Sequence, residues 1–265
     1  MGIWKKAVGA LAALPVLVAG LALGAGTAVA QESTAPAPAA APAANVAPAA
    51  ADGSNGYLWL HFEATDYEKI YYGYSADGVT WNKLNDNQPL ITSDVANKGI
   101  RDPHIIRLQE PDADGNKYVM IGTDLHAEGS AGGKSWSQKS QNVIISRSKD
   151  LVTWTKAEAV FAGWDDANRV WAPEAIWDSA KNAYLVYWSS KPDSAQSTPL
   201  GVYKTYTTDF KTFTTPERWI DESSVDNANI IDTTIVKGDD GDYYRFSTSD
   251  WYTVVDTSPT LDAEH

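Results

Sequence analysis

The sequence contains no cysteine among its 265 residues. Thiol catalysis, disulfide bonds and thiolate metal sites are therefore excluded within it. Basic residues are scarce as well, because 21 Lys and Arg stand against 34 Asp and Glu, giving a formal net charge of −13 at pH 7. A polyanion such as nucleic acid would meet net repulsion, so we expect no nucleic-acid partner.

Histidines are few and poorly placed for a metal centre. His61, His104 and His126 are scattered and show neither a His-x-x-x-His spacing nor a His-carboxylate ligand pattern. We therefore expect no catalytic metal and no required cofactor.

Long apolar runs are absent outside the amino terminus. There, a basic start is followed by the apolar run 7–23 and by the small residues Ala-Val-Ala at 28–30. This order is typical of a secretory signal peptide, whereas the run is short for a membrane anchor. We interpret residues 1–30 as a signal peptide and expect a secreted or cell-surface protein with no membrane span in the mature chain.

The next segment, 31–55, is composed of Ala and Pro with almost no large side chains. Such a composition cannot bury enough apolar surface to fold, so we interpret it as a linker. The folded domain is expected at 56–265.

Within that domain, no segment shows a helical period. Short runs rich in aromatic and β-branched residues alternate with Gly, Asp, Asn, Pro and Ser, which predicts an all-β fold. The runs are YLWLHF, KIYYGYS, HIIRL, KYVMIGT, NVIISRS, YLVYWSS, GVYKTYT, TTIVK and DYYRFST.

A turn followed by an aromatic residue occurs three times, as SADGVTW (75–81), SKDLVTW (148–154) and TTDFKTF (207–213). Each copy follows a predicted strand, and the units between copies have room for four strands. Four-stranded units at this period predict a β-propeller, in which each sheet is covered by its neighbours. We interpret the repeat as structural, with the Asp bonding the turn backbone and the aromatic side chain packing between sheets.

Three predicted first strands begin with a carboxylate. They contain Asp102 in RDPHI, Glu174 in WAPEAIW and Asp232 in IDTTIV. Because a propeller brings its first strands together around a central channel, we expect the three acids to occupy one repeat-relative position and to converge. Converging carboxylates can serve as acid, base and mutual pKa modulators.

The stretches GIRDPHIIR, KYVMIGTDL, VWAPEAIWD, YLVYWSS and IDTTIVKGDDGDYYRFS make residues 57–265 resemble glycoside hydrolase family 43. The resemblance implies a five-bladed propeller that hydrolyses α-L-arabinofuranosides or β-D-xylosides with inversion. It implies a carbohydrate partner such as arabinan, arabinoxylan or derived oligosaccharides. Some family members hold a structural calcium in the central channel, which the resemblance allows here.

The resemblance also assigns roles. The general base falls on Asp102, the pKa-modulating carboxylate on Asp232, and Glu174 becomes a substrate-side carboxylate. The family's general acid is a Glu on a later blade, and no segment up to residue 265 matches it. The resemblance therefore implies an incomplete propeller of three to three and a half blades, with the acid beyond residue 265.

Further side chains near these strands are candidates for sugar contacts. Trp171 could offer an apolar face to a sugar ring or pack between sheets, and Arg101 and Arg245 could fix carboxylates, bond sugar hydroxyl groups or form ordinary salt bridges. Trp59, Trp177 and Trp188 could act similarly or pack between sheets. Two alternatives stay open: a carbohydrate-binding propeller without catalysis, and a sialidase-like hydrolase, although the arginines show no cluster in the sequence.

Overall fold

The computed structural model describes residues 5–6, 56–63, 68–127, 133–222, 227–250 and 252–263. The predicted linker and the predicted signal peptide, except for Lys5–Lys6, lie outside these residues. Within the described ranges no helix has the length and apolar character needed to cross a membrane.

Antiparallel strands make up almost all of the regular structure, which confirms the all-β prediction. Among the described residues, a short 3₁₀ helix lies at Asn85–Asn87. The strands are β1 (Lys5–Lys6), β2 (Tyr57–Phe62), β3 (Ile70–Ser75), β4 (Asn82–Lys83), β5 (Ile100–Arg107), β6 (Tyr118–Asp124), β7 (Asn142–Ser148), β8 (Glu158–Phe161), β9 (Trp171–Asp178), β10 (Ala183–Ser190), β11 (Gly201–Thr207), β12 (Glu217–Ile220), β13 (Ile230–Lys237), β14 (Tyr243–Ser249) and β15 (Tyr252–Ser258).

The strands form four sheets, in which neighbouring strands follow one another along the chain. Their orders are β2-β3-β4, β5-β6-β7-β8, β9-β10-β11-β12 and β13-β14-β15, with β1 added outside β15. The first strands β5, β9 and β13 lie side by side, as the blades of a propeller require.

The pairing registers show how the sheets correspond. In each sheet a Tyr pairs with the hydroxyl residue that begins the turn, as Tyr57↔Ser75, Tyr118↔Ser148, Tyr184↔Thr207 and Tyr243↔Ser258. By this register β2 corresponds to the second strands β6, β10 and β14. The described part of the first sheet therefore has three strands and no inner one, as expected from the sequence.

The repeated turns are held by their aspartates. The Oδ1 atoms of Asp77, Asp150 and Asp209 each accept two backbone N–H groups, at 2.7 to 2.9 Å. A fourth copy begins at Ser258, whose Oγ accepts the N–H of Thr260 at 3.2 Å. These bonds confirm that the aspartates hold the turns. Trp154 and Phe213 pack against buried clusters as predicted, whereas Trp81 is 41% exposed.

Apolar side chains fill the space between adjacent sheets. One cluster joins the β5–β8 sheet to the β9–β12 sheet around Val143, Val186 and Trp188. A second joins the β9–β12 sheet to the last sheet around Leu185, Trp219 and Ile235. The packing fixes the inner strands against one another and so positions the side chains at their first residues.

Candidate active site

Each inner strand carries a β-bulge near its first residue. The pairing register shifts between Arg101 and His104 in β5 and between Ile231 and Thr234 in β13. In β9 it shifts between Trp171 and Glu174, which pair with Ser189 and Tyr187 of β10. At each bulge one residue has positive φ, namely Asp102 (49°), Ala172 (45°) and Asp232 (50°). A non-glycine residue in this region costs about 1–3 kcal/mol, and such strain is concentrated at functional sites.

The prediction that all three acids share one repeat position is wrong. Asp102 and Asp232 occupy equivalent bulge positions, but the equivalent residue of β9 is Ala172. Glu174 lies two residues further, at the position of His104 and Thr234. The sequence comparison aligned the three motifs on their acids. The bulges instead align Ala172, two residues before Glu174, with Asp102 and Asp232.

Asp102 is held by a hydroxyl relay. The backbone N–H of Ala172 donates to Thr123 Oγ1 at 2.8 Å, and this hydroxyl donates to Asp102 Oδ2 at 2.8 Å. Because the backbone N–H occupies the hydroxyl oxygen as acceptor, the hydroxyl proton is directed to the carboxylate. Burial raises the pKa of Asp102, while Thr123 and the nearby Arg101 oppose part of that rise.

The bond from a bulge N–H to a hydroxyl group recurs at Asp232, between the last sheet and the β9–β12 sheet. Its backbone N–H donates to Ser189 Oγ at 3.2 Å. Burial raises the pKa of Asp232, and the negative charges of Asp102 and Glu174 raise it further. The three acids are thus brought within electrostatic reach of one another, as expected from the sequence.

Glu174 is tied to two aromatic rings. The Tyr187 hydroxyl donates to Glu174 Oε2 at 3.0 Å, and His104 Nδ1 lies 3.7 Å from the same oxygen. His104 Nε2 donates to the carbonyl oxygen of Ala175 at 3.0 Å, linking β5 to β9. Burial raises the pKa of Tyr187, and the carboxylate of Glu174 adds to the rise.

Arg101 lies beside the base candidate but points to another acid. Its Nη1 donates to Glu68 Oε1 at 2.7 Å. The guanidinium carbon lies 4.5 Å from the ring centre of Phe62 and 4.7 Å from that of Trp136. The side chain is 17% exposed, so sugar contact is restricted to its uncovered part.

Arg245 forms a salt bridge, which is one of the alternatives that the sequence left open. It is fully buried, bonds Asp256 Oδ2 through Nη2 at 2.9 Å and lies over the ring of Trp219 at 5.0 Å. The charges acting on it are those of Asp256 and Glu222, not those of the three site acids. A structural ion pair describes Arg245, and a sugar-binding role does not fit this burial.

The tryptophans divide between site and core. Trp171 precedes the β9 bulge and is half-buried, with the Arg169 guanidinium 4.1 Å from its ring centre. Trp188 is buried and Trp177 packs edge-on against Tyr184, so both belong to the core. Trp59 is half exposed on β2.

In the described part of the chain, no group of three or more His, Asp or Glu side chains is arranged to hold a metal ion. A structural calcium, which can also be held by backbone carbonyl oxygens and water molecules, stays an expectation from the family resemblance, and no step below is routed through it.

Thr123 and Ser189 were missed in the sequence because single hydroxyl residues carry no distinctive signal. The repeat could have found them, since each lies five residues after the Tyr that pairs with the turn. The equivalent residues of the first and last sheets are Phe62 and Thr248.

Residues 52–263 match the family model described as "Probable glycosyl hydrolase domain", which is related to glycoside hydrolase family 43. The chain is 32% identical over 189 residues to an α-L-arabinofuranosidase of Bifidobacterium longum subsp. longum. That match covers 64% of this chain and 17% of the relative, so the chain spans about a sixth of the relative's length.

Solved glycoside hydrolases share the fold. An α-L-arabinanase of Penicillium chrysogenum, solved with arabinobiose, superposes with a TM-score of 0.56 at 16% identity, covering 79% of this chain and 61% of its own. An endo-arabinase of Bacteroides thetaiotaomicron gives 0.53 at 11% identity, covering 79% and 72%. An exo-β-1,3-galactanase of Phanerochaete chrysosporium gives 0.53 at 13% identity, covering 78% and 45%. Together with the family match over most of the chain, these sheets identify the protein as a member of the family 43-related glycosyl hydrolases with a β-propeller fold.

Proposed function

We propose that the chain carries the general-base side of an inverting O-glycosidase site that acts on α-L-arabinofuranosidic or β-D-xylosidic bonds. Asp102 is the base, Asp232 modulates pKa values, and Glu174 binds the substrate. The similar arabinofuranosidase and the arabinanase solved with arabinobiose favour arabinose-containing plant polysaccharides or oligosaccharides. The basic and apolar amino terminus supports secretion or display at the cell surface.

One observation carries the proposal: Asp102 and Asp232 stand at equivalent bulges of β5 and β13, and β9 between these strands carries Glu174. Strained backbone is retained where the surrounding structure fixes it, and it aims a side chain that a regular strand would point elsewhere. Two acids in this geometry, each with a raised pKa, are the arrangement that acid–base chemistry at a glycosidic bond needs.

In the proposed reaction, Asp102 removes a proton from a water molecule, whose oxygen attacks the anomeric carbon as the glycosidic bond breaks. Burial is useful here, because a base with a raised pKa takes up a proton more readily than an ordinary aspartate. Thr123 fixes Oδ2, which orients the carboxylate towards the water. The family resemblance puts the proton donor on a later blade, and the need for that donor decreases as the leaving group becomes more acidic.

A sialidase-like reaction is disfavoured by the positions of the arginines. That chemistry needs several guanidinium groups around a substrate carboxylate. Here Arg101 bonds Glu68, Arg245 bonds Asp256, and Arg218 bonds Asp221. Arg147 donates to the backbone carbonyl groups of Asp209 and Phe210.

The test is turnover by the purified 265-residue chain on a panel of aryl glycosides. The panel contains α-L-arabinofuranosides, β-D-xylosides and sialosides, each with an ordinary phenol and with 2,4-dinitrophenol as leaving group. We expect release from the dinitrophenyl arabinofuranoside or xyloside, because an acidic leaving group needs little protonation. Proton NMR should show the inverted anomer as first product.

Asp102→Asn is the matched control, since it keeps the size of the side chain and removes the base. Equal turnover by this variant, or release from sialosides alone, would contradict the proposal. Binding of arabino-oligosaccharides in calorimetry with no release from either leaving group would instead identify a binding propeller.

A further inference from the structure

Glu68 is a fully buried carboxylate outside the three site acids. Arg101 Nη1 donates to its Oε1 at 2.7 Å, and His126 Nδ1 lies 3.0 Å from its Oε2. The backbone N–H of Ala127 donates to both oxygens, at 3.1 and 3.0 Å. A buried carboxylate is costly unless it is paired and hydrogen-bonded, and these partners satisfy that need.

The surrounding backbone is shaped around this side chain. Glu68 itself has a φ of 53°, in the left-handed region. A Cβ atom at Gly99 would lie 2.7 Å from Glu68 Oε2 and 2.2 Å from the carbonyl oxygen of Leu125, so only glycine fits there. The backbone of Glu68 also accepts the N–H of Ile100 at 2.9 Å. The first residue of β5, the strand that carries Asp102, is therefore hydrogen-bonded to Glu68.

Glu68 joins three segments at the same end of the sheets. It lies before β3, Arg101 lies on β5, and His126 and Ala127 follow β6. Ile100 at the start of β5 pairs with Asp124 at the end of β6, so the loop after β6 lies at the end where Asp102 is located. The rings of Phe62 and Trp136 both lie against the Arg101 guanidinium, with their centres 4.5 and 4.7 Å from its carbon atom.

The Arg101 charge is shared between two acids. Its guanidinium is bonded to Glu68, and it is also one of the charges that act on Asp102. Glu68 acts on Asp102 with the opposite sign. The other titratable groups facing this region are His126 against Glu68, His104 on β5, Glu174 on the adjacent strand β9, and Asp232 on β13 beyond it.

We propose that Glu68 is a positioning residue for Asp102: it holds the Arg101 guanidinium between Phe62 and Trp136 and offsets part of its charge beside the base. This proposal rests on the proposed function, because it assigns Glu68 a role through Asp102. Burial raises the pKa of Asp102, and with Glu68 in place the Arg101 charge offsets only part of that rise. Without Glu68, the uncompensated guanidinium lowers that pKa.

The central test is the pH profile of kcat/KM for the dinitrophenyl arabinofuranoside in Glu68→Gln. Its acidic limb reports the pKa of the base in the free enzyme. We expect this limb to move to lower pH. At a fixed pH on the limb, the ratio of kcat/KM to its plateau value should rise about two- to threefold. The plateau itself should fall about tenfold, because the loop after β6 loses an anchor.

Three further variants separate electrostatics from structure. Arg101→Gln should move the acidic limb in the opposite direction, to higher pH, and Glu68→Gln combined with Arg101→Gln should return it towards wild type. Glu217→Gln removes the carboxylate of the Lys204 ion pair on β12 and should leave the limb in place. A fall in plateau and melting temperature without movement of the limb in Glu68→Gln would overturn the proposal.

A second measurement does not depend on turnover. Carbon-13 NMR of carboxyl-labelled aspartate, with the Asp102 signal identified by its loss in Asp102→Asn, gives the pKa of Asp102 in each variant. Wild-type protein without turnover would contradict the proposed function, while the NMR shifts would still decide the role of Glu68. If Glu68→Gln does not melt cooperatively, Arg101→Gln is compared with Arg101→Lys, and equal Asp102 titrations in those two would overturn the proposal.

Discussion

The two ends of the sheets hold aspartates in opposite electrostatic states. At the bulge end, burial raises the pKa of Asp102 and of Asp232. At the turn end, backbone N–H groups lower the pKa of Asp77 and of Asp150. The same side chain is thus stabilised as an anion at one end and destabilised as an anion at the other.

This difference separates structural from functional acids by their effect on stability. A turn aspartate with a lowered pKa stabilises the fold above the pKa of the unfolded chain, and this contribution is lost as pH falls through the folded value. A bulge aspartate with a raised pKa is best tolerated below the unfolded value, and stability is lost as pH rises through the folded value. At pH 7 the turn acids therefore support the fold, whereas the bulge acids destabilise it.

Asp102→Asn should show the bulge end most clearly. We expect kcat/KM for the dinitrophenyl arabinofuranoside to fall about 10²–10⁴-fold, because water activation is lost. The melting temperature at pH 7 should rise, since an amide needs no buried charge, and the gain should shrink as the pH is lowered. Kinetics and melting curves at several pH values test both effects. A lower melting temperature of Asp102→Asn at pH 7 would contradict the claim that the bulge aspartate destabilises the fold.

Thr123→Val tests the hydroxyl relay that supports the base. It removes the donor to Asp102 Oδ2 and the acceptor for the Ala172 N–H. We expect about a 10- to 100-fold loss in kcat/KM, because a hydrogen bond to a charged group contributes about 1.5–3 kcal/mol. The acidic limb should move to higher pH, because the Thr123 bond lowers the pKa of Asp102. Thr123→Ser keeps the hydroxyl and should restore both, and equal defects in the two variants would argue against the relay.

Asp232→Asn tests the coupling between the two bulges. Removing its negative charge makes ionisation of Asp102 easier, so the acidic limb of the pH profile should move to lower pH. If Asp232 modulates the proton donor as the family resemblance implies, the alkaline limb should move to lower pH as well. Profiles with both limbs unchanged would show that the two acids do not interact.

Asp150→Ala should show the turn end, with the smallest effect. The N–H groups of Val152 and Thr153 lose their acceptor, so we expect the melting temperature to fall by about a few degrees while kcat/KM stays unchanged. Asp150→Asn keeps an acceptor oxygen and separates hydrogen bonding from charge. A loss of activity in either variant would mean that the two ends are not independent.

Local patterns were sufficient to predict most of the strands and the turns, whereas β15 was not among the predicted runs. The alternation of aromatic and β-branched residues located β2, β6 and β10, and the Ser/Thr-x-Asp pattern located the turns. The bulges depend on how two strands pair, and no local pattern revealed that Ala172, not Glu174, corresponds to Asp102. This is why the expected equivalence of the three acids failed.

The supporting residues of the site were out of reach for a related reason. Thr123 bonds a side chain 21 positions away, and Glu68 bonds groups 33, 58 and 59 positions away. Such contacts arise only when the sheets pack, and neither residue type is unusual in a loop or strand. The ion pair of Arg245 could not be predicted either, because nothing in the sequence indicates the buried Asp256 beside it.

The equivalent bulges also bear on how such a site could evolve. Ala172 has the same left-handed backbone as Asp102 and Asp232, yet it carries no group that can take part in chemistry. Duplication of a whole sheet would copy this backbone conformation together with the hydroxyl that supports it from the preceding sheet, as Thr123 does for Ala172 and Ser189 for Asp232. A single codon change at a copied position is then enough to add or remove an acid. The catalytic side chains can in this way have a different evolutionary origin from the backbone that orients them.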